Sequence, residues 1–184
     1  MRRLILTLAL AALGAAVAVA DADTIRITPL ARDGQVLISF EMPNGLSDEL
    51  RASIRSGLPT SISYGVELRR VAPLFDRTIG SLTVTASVRF DNLTRRYQLS
   101  RTINGRVEDV RVTEDETAVR RWMTQFERLP LVRTTGLEAT AEYYVRVRAR
   151  TRPHNSWFFW PWDRWLSWPW DRVAWGQATF TFLP

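Results

Sequence analysis

The sequence predicts a mainly β protein, an antiparallel β-sandwich or curved sheet of about eight strands with two short α-helices. Three observations predict it. Apolar and polar residues alternate with a period of two through most of the chain, as in Leu82, Val84, Ala86, Val88 and Phe90 against Ser81, Thr83, Thr85, Ser87 and Arg89. Strands with one buried and one wet face produce that pattern. Asn104-Gly105 stands between two extended runs, Arg95–Ile103 and Arg106–Thr113. Asn and Gly both accept the positive φ that a two-residue hairpin turn requires. Finally, only two stretches carry apolar residues at helical spacing, and each opens on a capping residue.

Taken in order, the chain opens with a pattern for export. Arg2 and Arg3 precede an uncharged run, Leu4 to Ala20, rich in Leu and Ala. Two small-x-small sites follow, Ala18-Val19-Ala20 and Ala20-Asp21-Ala22. That order is a secretory signal peptide over residues 1–20, cleaved near Ala20 or Ala22, which sends residues 21–184 to the periplasm or outside the cell. The alternative is an uncleaved run anchored N-terminally in the inner membrane, for which the run is short. Removing two arginines with the signal takes the charge from +6 to +4.

Residues 21–184 read as a single mainly-β domain. Ile25–Leu30 is the first strand, and Val36, Ile38 and Phe40 mark the second. Ser47 then caps a helix over Asp48–Arg55, whose acids suit the positive end of the helix dipole. Leu46, Leu50, Ile54 and Leu58 form its apolar stripe, and Gly57 stops it. Ile62, Tyr64, Val66 and Leu68 mark the next strand. After the Asn104-Gly105 hairpin, Thr113 to Glu116 reads as a capping box. Val119, Trp122, Met123 and Phe126 form the face of the second helix, which Pro130 ends. Tyr143, Val145, Val147 and Ala149 mark another strand, and Ala178, Phe180 and Phe182 the last.

Composition excludes several chemistries. Cysteine is absent, and His154 is the single histidine. Disulfides, thiolate metal sites, cysteine nucleophiles and multi-histidine metal sites are therefore impossible, and no cofactor or metal is expected. Glu114, Asp115 and Glu116 are explained by helix capping; Asp163 and Asp171 each precede Arg and read as turn or ion-pair residues. No phosphate loop, nucleophile elbow or dinucleotide fingerprint occurs. Catalytic residues are therefore expected to be none.

Two features could carry interactions. All 25 basic residues are arginine, and Arg146, Arg148, Arg150 and Arg152 alternate along one strand, so they share a sheet face. That face either meets an anionic partner or is a solvated surface with cross-strand pairs to Glu67, Glu142 or Glu108. The second feature is Trp157–Trp175, which holds seven of the eight tryptophans, including Trp157, Trp160, Trp162, Trp165, Trp168 and Trp170. Within it Trp-Pro-Trp-Asp-Arg occurs twice. Its two prolines oppose a regular helix or central strand, so it reads as a long loop between the last two strands. So apolar a loop must pack on the body, meet a partner, rest on a membrane surface or stack on sugars. Nucleic acid is not an expected partner for an exported chain.

Several segments together resemble a known family. They are Ser56-Gly57-Leu58-Pro59-Thr60 with Tyr64-Gly65-Val66-Glu67-Leu68, then Val88-Arg89-Phe90-Asp91-Asn92-Leu93-Thr94-Arg95-Arg96-Tyr97-Gln98-Leu99-Ser100-Arg101. Arg121-Trp122-Met123 and Tyr143-Tyr144-Val145-Arg146-Val147-Arg148-Ala149 with Trp160-Pro161-Trp162-Asp163 complete the set. From Ala22 to Pro184 the chain resembles the exported bacterial family catalogued as domain of unknown function 4390. The second Trp-Pro-Trp-Asp-Arg looks like an insertion relative to that family. The resemblance implies no activity and no catalytic residue. It implies a periplasmic accessory role, by association with a membrane sensor kinase often encoded beside members. The expected function is thus a non-enzymatic binding or accessory module of the envelope, with an envelope protein or a membrane surface as partner. The alternative is a hydrolase acting on envelope carbohydrate through paired carboxylates.

Overall fold

Two antiparallel sheets carry the fold in the computed structural model, which describes residues 25–139, 141–153 and 173–181. In chain order the elements are β1 (Arg26–Arg32), β2 (Gln35–Glu41), α1 (Asp48–Arg55), β3 (Thr60–Arg70), β4 (Arg77–Asp91), β5 (Arg96–Ile103) and β6 (Arg106–Thr113). They continue with α2 (Glu116–Thr124), β7 (Gln125–Arg133), β8 (Glu142–Pro153) and β9 (Val173–Thr181). The small sheet has the order β1-β2-β7, and the large one β6-β5-β4-β3-β8-β9. The mainly-β, two-helix reading of the sequence is the fold observed.

Alternation becomes burial directly. Ile62, Tyr64, Val66, Val84, Ala86 and Val147 are fully buried on the inner face of the large sheet, and Val36, Ile38 and Phe40 of β2 oppose them in one core. At its centre Phe40, Tyr64 and Phe126 join the two sheets, with ring centroids 4.6–5.1 Å apart. Such pairs add about 0.5–1.5 kcal/mol each beyond their buried area. The Tyr64 hydroxyl sits among them and donates to the Met123 carbonyl at 2.7 Å. Burial raises its pKa well above the ordinary tyrosine value.

The local signals hold at the Asn104-Gly105 turn, where both residues have positive φ, 49° and 81°. They hold also at α1, where Ser47 Oγ accepts from the Leu50 N–H at 3.4 Å. Leu58, expected on the apolar stripe of α1, is instead 44% exposed, because the helix ends before it.

The second helix differs from expectation at both ends. Its cap is Asp115, whose carboxylate accepts from the Thr117 N–H at 2.7 Å. Thr113 belongs to β6 and accepts from the Asp115 N–H at 3.1 Å, one step earlier. The helix ends at Thr124, and Gln125–Arg133 is a strand, β7, which brings the strands among the described residues to nine rather than eight. A bulge explains the difference. Ile38 pairs with Leu129 and Phe40 with Phe126, so Ser39 alone opposes two residues of β7. Arg128 takes a positive φ of 50° there, and its N–H donates to Ser39 Oγ at 3.1 Å. The extra residue puts Phe126 and Leu129 both inward at a spacing of three, which imitates a helical stripe. Pro130 is tolerated because β7 is an edge strand.

Candidate functional site: an arginine and tryptophan cleft

The small sheet has three strands and the large sheet six, so the small one cannot cover all of the inner face. At β5 and β6 the cover is α2 instead, and the sequence of the inner face changes there. Along β5 the inward positions read Tyr97, Leu99, Arg101 and Ile103, and along β6 Asp109, Arg111 and Thr113. A cleft of about 480 Å³ lies between these strands, α2 and the start of β7. Arg101, Arg111, Ala118, Arg121, Trp122, Gln125 and Glu127 line it.

Arg101 is the innermost of the three arginines. Its guanidinium carbon lies 4.4 Å from the Trp122 ring centroid and 4.3 Å from that of Phe126. Its Nη2 donates to the carbonyls of Trp122 at 2.7 Å and Gln125 at 3.2 Å. Those oxygens sit at the C-terminal end of α2, where carbonyls lack helical partners and a cation suits the dipole. The Arg101 Nε is buried without a hydrogen-bond partner. Burial lowers the pKa of Arg101, a shift that the charge of Asp109 opposes. An arginine remains a cation under these conditions.

Arg111 and Arg121 form the outer lip, and both are exposed. The Arg111 guanidinium lies 5.1 Å from the Trp122 ring centroid and pairs with Asp109 at 2.7 Å. Trp122 thus carries one half-buried arginine beside it and another near solvent. Three cations from β5, β6 and α2 face one cleft, and Glu127 is the single carboxylate among its lining residues. An arrangement of this kind attracts an anion, and arginine adds bidentate geometry for carboxylate or phosphate.

Of the arginines expected on a shared face of β8, Arg146 is a paired surface residue. It meets Glu67, directly opposite on β3, at 2.6 Å. Nearby, the Tyr144 hydroxyl donates to Asp76 at 2.6 Å, and Arg69 donates to the Asp76 carbonyl at 3.0 Å. The Tyr144 hydrogen bond holds the Asp76 carboxyl below the usual carboxylate range. Arg148 and Arg150 stand exposed further along β8, opposite Gly65 and Ser63, and neither joins an ion pair among the described residues. They do not approach the lining of the cleft. Trp157, Trp160, Trp162, Trp165, Trp168 and Trp170 lie outside the described residues, as do His154, Asp163 and Asp171.

The carboxylates of the capping segment hold structure together. Asp115 caps α2, Glu114 meets Arg96 at 2.9 Å, and Glu116 meets Arg55 of α1 at 3.0 Å. The cleft was the part that sequence reasoning missed, although one signal pointed to it. Arg101 occupies the apolar phase of β5, between Leu99 and Ile103, where a charge needs a special partner.

The family model described as Domain of unknown function (DUF4390) matches residues 20–155. That span covers β1 to β8 and the whole cleft, and it ends before the Trp160-Pro161-Trp162-Asp163 segment. No curated protein and no solved structure matches the chain. Among the described residues, no helix is long and apolar enough to cross a membrane.

Proposed function

The chain belongs to that family, whose description assigns no activity, and from its geometry we propose that the protein is an exported, non-enzymatic binding module that holds an anionic group in the Arg101, Arg111 and Arg121 cleft. One observation carries the reading: arginines from three separate elements converge on a single cleft lined by only one carboxylate. Arg101 and Trp122 are fixed by the end of α2, while Arg111, paired with Asp109, and Arg121 stand exposed at the lip to meet the ligand. Export rests on Arg2 and Arg3, the uncharged run that follows, and the small-x-small sites near Ala20 and Ala22.

The test is titration of the protein with poly-L-glutamate at low and moderate salt. Saturable binding that weakens with salt is expected, and it should be lost when Arg111 and Arg121 are both replaced by Ala. Binding that is equal in the double variant would overturn the assignment of the cleft.

A further inference from the structure

We propose that β6 is the docking edge for an extended segment of a partner protein in which acidic and apolar residues alternate. The segment adds to the large sheet as a further strand and sets its acidic side chains into the arginine cleft. The proposal rests on the reading of that cleft as an anion site.

The edge itself is the first observation. β6 runs for eight residues, Arg106–Thr113, and within the described residues it pairs with β5 alone. Its other side offers unpaired backbone groups of the kind that accept an added strand. Glu108 is the extra residue of a bulge in this pair, since Arg101 opposes Asp109 and Thr102 opposes Val107. Beyond that bulge the register is regular from Asp109 to Thr113, so this half of the strand is the part fit for pairing.

The two faces of that half are the second observation. On the outer face Val110 and Val112 are 63% and 60% exposed, and Val107 follows at 64% beyond the bulge. On the inner face Arg111 stands at the mouth of the cleft beside its ion-pair partner Asp109, with Arg121 of α2 on the same lip supplying the net positive charge. A strand added alongside would lie about 4.8 Å from β6, and its side chains would alternate between the same two faces. One set would cover Val110 and Val112. The other would stand level with Arg111 and within reach of Arg121. The first set must be apolar to benefit from burial, and the second must be acidic to complement the arginines. Backbone pairing thus supplies the affinity, and the cleft supplies the choice of partner.

Three peptides of one composition test this: one alternating Val and Glu, one with its Val and Glu in separate blocks, and one alternating but N-methylated at every second residue. The alternating peptide is expected to bind about tenfold more tightly than either control, a difference of about 1.4 kcal/mol. It should also slow amide exchange in β6. Replacing Val110 and Val112 by Ser should remove that advantage and leave binding of poly-L-glutamate unchanged. Equal binding of all three peptides would overturn strand addition and leave the anion cleft standing. Failure of every acidic probe, poly-L-glutamate included, would remove both. Self-association of the protein through β6 that blocks the peptide would overturn the partner proposed.

Discussion

The inner face of the large sheet is one surface with two characters. Under β2 and β7 it is apolar and dry, built on Tyr64, Val66, Val84 and Val147. Under α2 it carries Arg101, Asp109 and Arg111. One hydrogen-bonded sheet runs through both regions, so the backbone does not set the difference. The cover does. A three-stranded sheet seals the β4 to β9 side of a six-stranded one and leaves β5 and β6 to a helix of nine residues. A helix that short leaves open space beside it, and polar groups can then keep contact with water or a ligand.

Substitutions that ignore this division should show it most strongly. Val84→Asp places a charge in the sealed region with no partner, and no cooperatively folded protein is expected by circular dichroism. Phe126→Ala strikes the boundary, since its ring packs on Phe40 and Tyr64 and also flanks Arg101. It should lower stability by about 3–5 kcal/mol in urea denaturation. Arg101→Met keeps the bulk of the side chain but leaves the Trp122 and Gln125 carbonyls without their donor. A loss of about 2 kcal/mol is expected. A variant as stable as the parent would show that the cleft needs no cation at its base.

Two smaller effects sharpen the contrast with exposed charges. Asp76 lies on the far side of the large sheet, and Tyr144 lowers its carboxyl pKa. A lowered native pKa means that its contribution is present at neutral pH and is lost as pH falls below about 4. The stability difference between the parent and Asp76→Asn should therefore be visible at pH 7 and shrink on acidification. Arg121→Ala should change stability by less than about 0.5 kcal/mol, because the side chain is exposed. Its effect belongs to ligand binding.

Particular residues show how far the sequence could be read. Arg146 was legible as a cross-strand partner of Glu67, because alternation assigns both to the polar face and a carboxylate was within the same set. The cleft was legible in one residue, Arg101, whose phase along β5 is wrong for a surface arginine. Arg111 and Arg121 carried no such mark. They join Arg101 only because α2 packs across β5 and β6, and no sequence spacing encodes that contact.

By itself the sequence determined the elements whose causes are local: the period-two strands, the Asn104-Gly105 turn with its two positive φ angles, and the Ser47 cap of α1. Each depends on a few neighbouring residues and on backbone sterics. Tertiary structure decided the nature of Gln125–Arg133, where a helix-like spacing became a bulged strand because β2 offered Ser39 and Phe40 as partners. It also decided the cleft, through the mismatch between three strands and six. Pairing partners and coverage belong to the whole chain, so the periodicity of one segment cannot contain them.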